Sequence, residues 1–266
     1  MAHSLEGKTA IVAGAGSGVG RAIAKRFAES GSRVMLAEQG DKALDETLAG
    51  IDAPRENLAC FTHSISDKLG VTNLIAATID AFDRVDILVT DTRVSQAGGV
   101  FDLSTDAFNA VLTENVRSVF LQSKLVARRM VQQREADPEF QGALVNVTSI
   151  AAQRTVPELL AYSVSCAALD QLTRSLALSL APERIRVNAV ALGAVMTANL
   201  REALRERDEL RDEMTAVTPL GRIGEAWEAA EAALFLASPA ASFITGQIVA
   251  VDGGRLVLDP LASPVR

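Results

Sequence analysis

The stretch Ala13-Gly14-Ala15-Gly16-Ser17-Gly18-Val19-Gly20 constrains this 266-residue chain more than any other. It follows a short apolar run, 9–13, and opens a helical pattern, 18–30. Glycines at a strand-to-helix junction allow a tight turn and let backbone amides approach a phosphate, to which the helix dipole adds attraction. The rest of the chain keeps the same rhythm. Short β-branched or apolar runs at 33–37, 58–62, 85–90, 143–148, 186–191 and 248–251 alternate with helical spacing at 42–50, 67–82, 105–133, 157–180 and 225–237, and Gly31 stops the first helix. That alternation predicts βαβ units and one doubly wound, seven-stranded parallel sheet flanked by helices on both faces, an α/β fold of Rossmann type.

A single domain over residues 1–266 is expected, because nearly half the residues are apolar and one large core can be buried. The net charge of -7, with no basic stripe, gives no electrostatic reason to expect nucleic acid. Cys60 and Cys166 are the only cysteines and form no Cys-x-x-Cys motif, so a disulfide framework is not expected and a reducing compartment fits. His3 and His63 are the only histidines and neither has a nearby ligand set, so no metal site is readable. Residues 1–8 lack a basic segment followed by an apolar core, and no apolar run is long enough to span a bilayer. A cytoplasmic protein with a small-molecule substrate, and no membrane contact, is the expectation. The polar segment 134–141 reads as a solvated loop.

Four residues carry candidate chemistry. Ser149 ends the apolar run 142–147, Tyr162 follows thirteen positions later, and Asn115 lies upstream in Glu114-Asn115-Val116-Arg117-Ser118-Val119-Phe120. In a helix Tyr162 and Cys166 share a face. With the glycine turn in its G-x-x-x-G-x-G spacing, these residues make the chain resemble the short-chain dehydrogenase/reductase family over almost its whole length. The resemblance implies that Tyr162 is the general acid or base for a carbonyl/alcohol pair, that Ser149 hydrogen-bonds the substrate oxygen, and that Asn115 supports them. It also implies a lysine, four residues after the tyrosine, that holds the nicotinamide ribose and lowers the tyrosine pKa. Cys166 stands there instead, which marks a divergent member. A phenol titrates near ~10, so service as a base at neutral pH needs about 3 units of stabilisation, roughly 4 kcal/mol, and a neutral thiol does not supply it as an ammonium would.

The same resemblance places a dinucleotide on Gly14, Ser17, Gly18, Val19 and Gly20. Glu38, eighteen residues after Gly20, is placed to accept hydrogen bonds from the adenosine ribose and to repel a 2′-phosphate, which favours NAD(H) over NADP(H). Ser64, beside Ile65, falls where an aspartate commonly meets the adenine amino group. Where the family usually has Asn-Asn-Ala-Gly, this chain has Thr90-Asp91-Thr92-Arg93, and Arg93 is expected either to occlude the nucleotide or to contact its phosphates. Val195 and Thr197, after Ala191-Leu192-Gly193-Ala194, are placed to meet the carboxamide. These departures predict binding that is weakened or lost.

Two readings stay open: an NAD(P)(H)-dependent oxidoreductase on an alcohol, ketone or related C=X substrate with altered or reduced catalysis, or an inactive subunit supporting an intact partner. The helices 105–133 and 157–180 match those that build the family's interfaces, so a homodimer or homotetramer is expected, or a hetero-oligomer under the second reading. By the same resemblance 193–218 is a substrate lid. Cys166 as a covalent nucleophile is disfavoured, since nothing in the sequence lowers its pKa.

Overall fold

The computed structural model describes residues 3–207 and 209–259. Strands β1 (Thr9–Ala13), β2 (Arg33–Ala37), β3 (Leu58–Phe61), β4 (Ile87–Thr90), β5 (Gly142–Ser149), β6 (Ile185–Leu192) and β9 (Ile248–Val251) form one sheet in the order β3-β2-β1-β4-β5-β6-β9. All neighbours are parallel. Residues of β1, β2, β4 and β5 are buried almost throughout, as a sheet covered on both faces requires. The covering helices are α1 (Gly18–Glu29), α2 (Asp41–Ala49) and α9 (Ala226–Ala237), and on the opposite face α3 (Lys68–Phe82), α5 (Ser118–Ala136) and α6 (Leu160–Leu180). Alternate strand positions divide accordingly: Ala10, Val12, Val34 and Leu36 pack with Ile23, Phe27 and Ala233, whereas Ile11, Ala13 and Met35 pack with Leu74, Val126 and Met130.

The order of strands reverses between β1 and β4, which opens a crevice at their carboxyl ends where ligands of such sheets bind. Gly14 leaves β1 and Asp91 leaves β4 at that point, with the Asp91 amide donating to the Ala13 carbonyl at 2.8 Å.

Several boundaries differ from expectation. The expected helix 105–133 is α4 (Thr105–Leu112) and α5 joined through a π-helical turn, Thr113–Arg117, and α5 runs on to Ala136, so the polar loop begins at Asp137. Helical periodicity alone does not show the one-residue insertion that widens such a turn. The segment 193–218 holds structure that no periodicity announced: β7 (Val195–Met196), α7 (Ala198–Glu206) and α8 (Glu209–Ala216), with β7 paired to β8 (Gly224–Glu225). Among the described residues no helix is long and apolar enough to cross a membrane.

The start of α9 ties this segment to the sheet. Glu225 and Glu228 form a reciprocal capping box, and Glu228 also accepts both Arg222 amino groups at 2.7 Å. The Arg222 hydrogen bond and the Glu225 amide hold the Glu228 carboxyl well below its usual range, at about 2. Glu228→Ala should therefore cost about 1 kcal/mol, a Tm decrease of roughly 2–4 °C by thermal unfolding at pH 7. A depressed carboxyl stabilises above its unfolded value of ~4.3, so the difference between the two proteins should shrink as pH falls from there toward about 2.

Candidate active site

The crevice is a groove of ≈ 520 Å³ lined by Ser17, Gly18 and Val19 of the glycine turn, by Arg93, Val94 and Ser95 after β4, by Tyr162 of α6, and by Thr197, Ala198, Asn199 and Leu200 at the start of α7. The glycine turn is shaped by close backbone approach. A Cβ on Gly20 would lie 2.1 Å from the Gly14 carbonyl oxygen, and one on Gly14 would lie 2.5 Å from the Asp91 carbonyl oxygen. Gly14 also has φ +87°, a conformation that favours glycine. Ser17 is the N-cap of α1, yet its side chain makes no capping hydrogen bond, which leaves the hydroxyl available at a helix N-terminus. A cradle this tight, backed by a twelve-residue helix, fits a pyrophosphate.

Glu38 reaches over the turn: its carboxylate accepts from the Gly16 amide at 3.3 Å and the Gln39 amide at 2.9 Å, and its Cγ packs where a Gly16 side chain would be. Ser64 is exposed beyond β3 and its hydroxyl accepts only from within its own turn, from the Ser66 amide at 3.4 Å, while Ile65 is buried. Val195 is buried in β7, and Thr197 caps α7 by accepting from the Leu200 amide at 3.2 Å, with its methyl 3.4 Å from the position of a Gly18 Cβ. The wall contributed by α7 is Ala198, Asn199 and Leu200 rather than Arg201 or Arg205, and Arg207, just past the helix, pairs with Glu213. Asp208 lies outside the described residues.

At the deep end, Asn115 sits in the π-helical turn and is 3% exposed. Its side chain accepts from the Val94 amide at 2.8 Å and donates to the Val94 carbonyl and the Ser165 hydroxyl, both at 2.9 Å. Ser165 in turn donates to the Tyr162 carbonyl at 2.7 Å. Asn115 thus ties the segment after β4 to the first turns of α6. Ser149, at the end of β5, accepts from the Ala151 amide at 3.2 Å and donates to the Leu192 carbonyl at 3.3 Å.

Burial pushes the Tyr162 phenol upward, while the charge of Arg93 and the nearby Ser149 hydroxyl act in the other direction. Cys166, 3% exposed, is likewise pushed up by burial, against the influence of Tyr162 and Arg93, and so carries a neutral thiol at pH 7. A buried neutral thiol is a poor nucleophile.

Two arginines, Arg93 and Arg154, differ in what they reach. Arg154 donates to the Leu256 carbonyl near the C-terminus. Arg93 instead turns into the groove. Its Nε and Nη2 lie 2.9 and 2.8 Å from Asp91 Oδ1, and Asp91 Oδ2 accepts from the Gly20 amide at 2.6 Å. Burial works against the guanidinium charge, but Asp91 and Tyr162 hold its pKa above the ordinary arginine value. Asp91 itself is pushed up by burial and held down by Arg93 and the Gly20 amide. Asp91 and Ser165 are the site residues that sequence reading missed. The legible signal for Asp91 was an acid two positions before an arginine at a strand end.

The sequence family described as Enoyl-(Acyl carrier protein) reductase matches residues 14–255. A galactitol 2-dehydrogenase (L-tagatose-forming) of Cereibacter sphaeroides is 38% identical over 95% of this chain and 96% of its own. A 7alpha-hydroxysteroid dehydrogenase of Escherichia coli K12 is 34% identical over 94% of each. The crystal structure of a short chain dehydrogenase from Bacillus anthracis superposes with a TM-score of 0.84 at 25% identity, covering 96% of this chain and 98% of that one.

Proposed function

Because the chain belongs to the short-chain dehydrogenase/reductase family, we propose that it is an NAD(H)-dependent oxidoreductase that interconverts a hydroxyl and a carbonyl on a small molecule. The observation that carries the reading is the convergence, at the carboxyl ends of β1, β4 and β5, of a phosphate-shaped turn with Tyr162 and Ser149. Tyr162 exchanges the proton at the substrate oxygen, Ser149 hydrogen-bonds that oxygen, and Asn115 fixes the helix turn that presents the phenol. Gly14, Ser17, Gly18, Val19 and Gly20 hold the pyrophosphate, Glu38 the adenosine ribose, and Val195 with Thr197 the carboxamide edge. Ser64 and Ile65 border the adenine. The nicotinamide, when bound, supplies or takes the hydride. Burial favours the protonated phenol, so the resting site is poised to donate a proton, which is the reductive direction.

The two named relatives take galactitol and a hydroxysteroid, so a hydroxyl-bearing carbon is the shared element. Homodimeric or homotetrameric association through α5 and α6 is supported by the exposed apolar side chains of Phe120 and Leu178 on those helices.

Calorimetric titration with NAD, NADH, NADP and NADPH tests the assignment. NAD or NADH should bind, and Glu38→Ala should shift the NAD/NADP affinity ratio toward NADP by at least about tenfold, worth ~1.4 kcal/mol, because a carboxylate no longer faces the 2′-phosphate. One observation favours the second reading, an inactive supporting subunit: the Arg93 guanidinium stands inside the groove. Absence of binding by all four nucleotides would select that reading.

A further inference from the structure

Tyr162 faces three groups that bear on its proton. Cys166, one turn along its own helix, offers an uncharged thiol. Ser149, from the end of β5, offers a hydroxyl. Arg93, from the segment after β4, lines the same groove as Tyr162 and brings a positive charge to bear on the phenol. The guanidinium is fixed in place: Asp91 Oδ1 takes its Nε and Nη2 at 2.9 and 2.8 Å, the following residue, Val94, is clamped through both backbone polar groups by Asn115, and the side chain is only 23% exposed. Further charges act one step removed, Glu38 on Asp91 and Asp170 on Cys166.

We propose that Arg93 is a positioning residue for the proton transfer: anchored on Asp91, its guanidinium supplies from the β4 side the positive charge that supports the Tyr162 phenolate, at a site where the helix position one turn beyond the tyrosine carries only a thiol. The inference rests on the role given to Tyr162 above. A guanidinium does this without titrating itself, because it stays protonated across the accessible pH range. It also explains why Asp91 and Arg93 occur together. An arginine here without its carboxylate would be free to swing away, and a carboxylate without the arginine would be a buried charge beside the phosphate turn.

Tyr162 is the chain's only tyrosine, so the rise in phenolate ultraviolet absorbance with pH reports this one group, with neither nucleotide nor substrate present. Arg93→Gln should move that titration upward by at least about one unit, the scale expected for loss of an opposite charge within ~4–6 Å. Arg93→Lys should keep most of the wild-type value, and Cys166→Lys in the Arg93→Gln background should bring it back down. Asp91→Asn combined with Arg93→Gln leaves the net charge unchanged and provides a folded control should the single variant fail to fold; it too should titrate higher than wild type. An unchanged titration in Arg93→Gln, or equal upward shifts in Arg93→Gln and Arg93→Lys, would overturn the proposal. Because the readout needs no turnover, a chain that binds no nucleotide would lose the assigned reaction while the Arg93–Tyr162 coupling could still be confirmed or rejected.

Discussion

Tyr162→Phe should lower the reduction rate by about 10²–10⁴-fold while leaving NADH affinity within about threefold of wild type. The change removes one oxygen and keeps the ring, so the packing at the start of α6 survives and only the proton donor is lost. The expected deficit corresponds to ~2.7–5.5 kcal/mol of barrier, more than a lost ground-state hydrogen bond would cost. Steady-state NADH consumption on a panel containing ketoses, cyclic ketones and keto-steroids identifies the carbonyl that turns over. The same assay on the variant, alongside nucleotide titration, separates chemistry from binding. The pH profile adds a second check. Burial favours the neutral phenol, so wild-type reduction should hold through neutral pH and decline only as the phenol ionises, and oxidation should rise with pH over the same interval. Equal turnover by Tyr162→Phe would remove the tyrosine from the reaction and favour the supporting-subunit reading.

The sheet and its site were legible to different depths. Strands in a sheet covered on both faces are continuous apolar runs, and Ile11, Val12, Leu36, Val89 and Val145 announce themselves by composition alone, so all seven sheet strands fall within a residue or two of expectation. The glycine turn is equally readable, because a Cβ at Gly14 or Gly20 would collide with backbone. The segment 193–218 was harder. Its two helices are short and charged on their solvent side, and β7 exists only because β8, some thirty residues on, pairs with it. The π-helical turn at Thr113–Arg117 was invisible for a similar reason, since one inserted residue hardly alters the apolar spacing while it redirects Asn115 toward Val94 and Ser165.

The direction of a long side chain was the least legible property of all. Sequence placed Arg93 against the nucleotide, as an obstruction or a phosphate ligand, and the tyrosine beside it without a cation. In the fold the guanidinium stands in the groove and Asp91 holds it there, where its charge also acts on Tyr162 and Cys166. Spacing along the chain fixes which residues share a helix face; it does not fix the partner that captures a flexible arginine from two positions away.

That capture makes Asp91 the most sensitive single residue of the groove. Its side chain is 5% exposed and serves two parts of the site at once, accepting from the Gly20 amide at 2.6 Å and pairing with Arg93 at 2.8 Å. Asp91→Ala leaves a largely buried guanidinium without its counter-charge and an amide of the phosphate turn without its acceptor, a combination expected to cost about 3–5 kcal/mol. For a chain of this length the corresponding Tm decrease is roughly 6–20 °C, measurable by calorimetry, with nucleotide affinity falling as the turn loosens. Asp91→Asn retains an oxygen for Gly20 and loses only the charge, so its cost should arise almost wholly from the stranded Arg93. Adding Arg93→Gly to Asp91→Asn removes that stranded charge and should recover most of the lost stability, giving a strongly non-additive double-mutant cycle. Additive losses in the cycle would mean that the two side chains act independently, and that the ion pair does not hold the guanidinium against Tyr162.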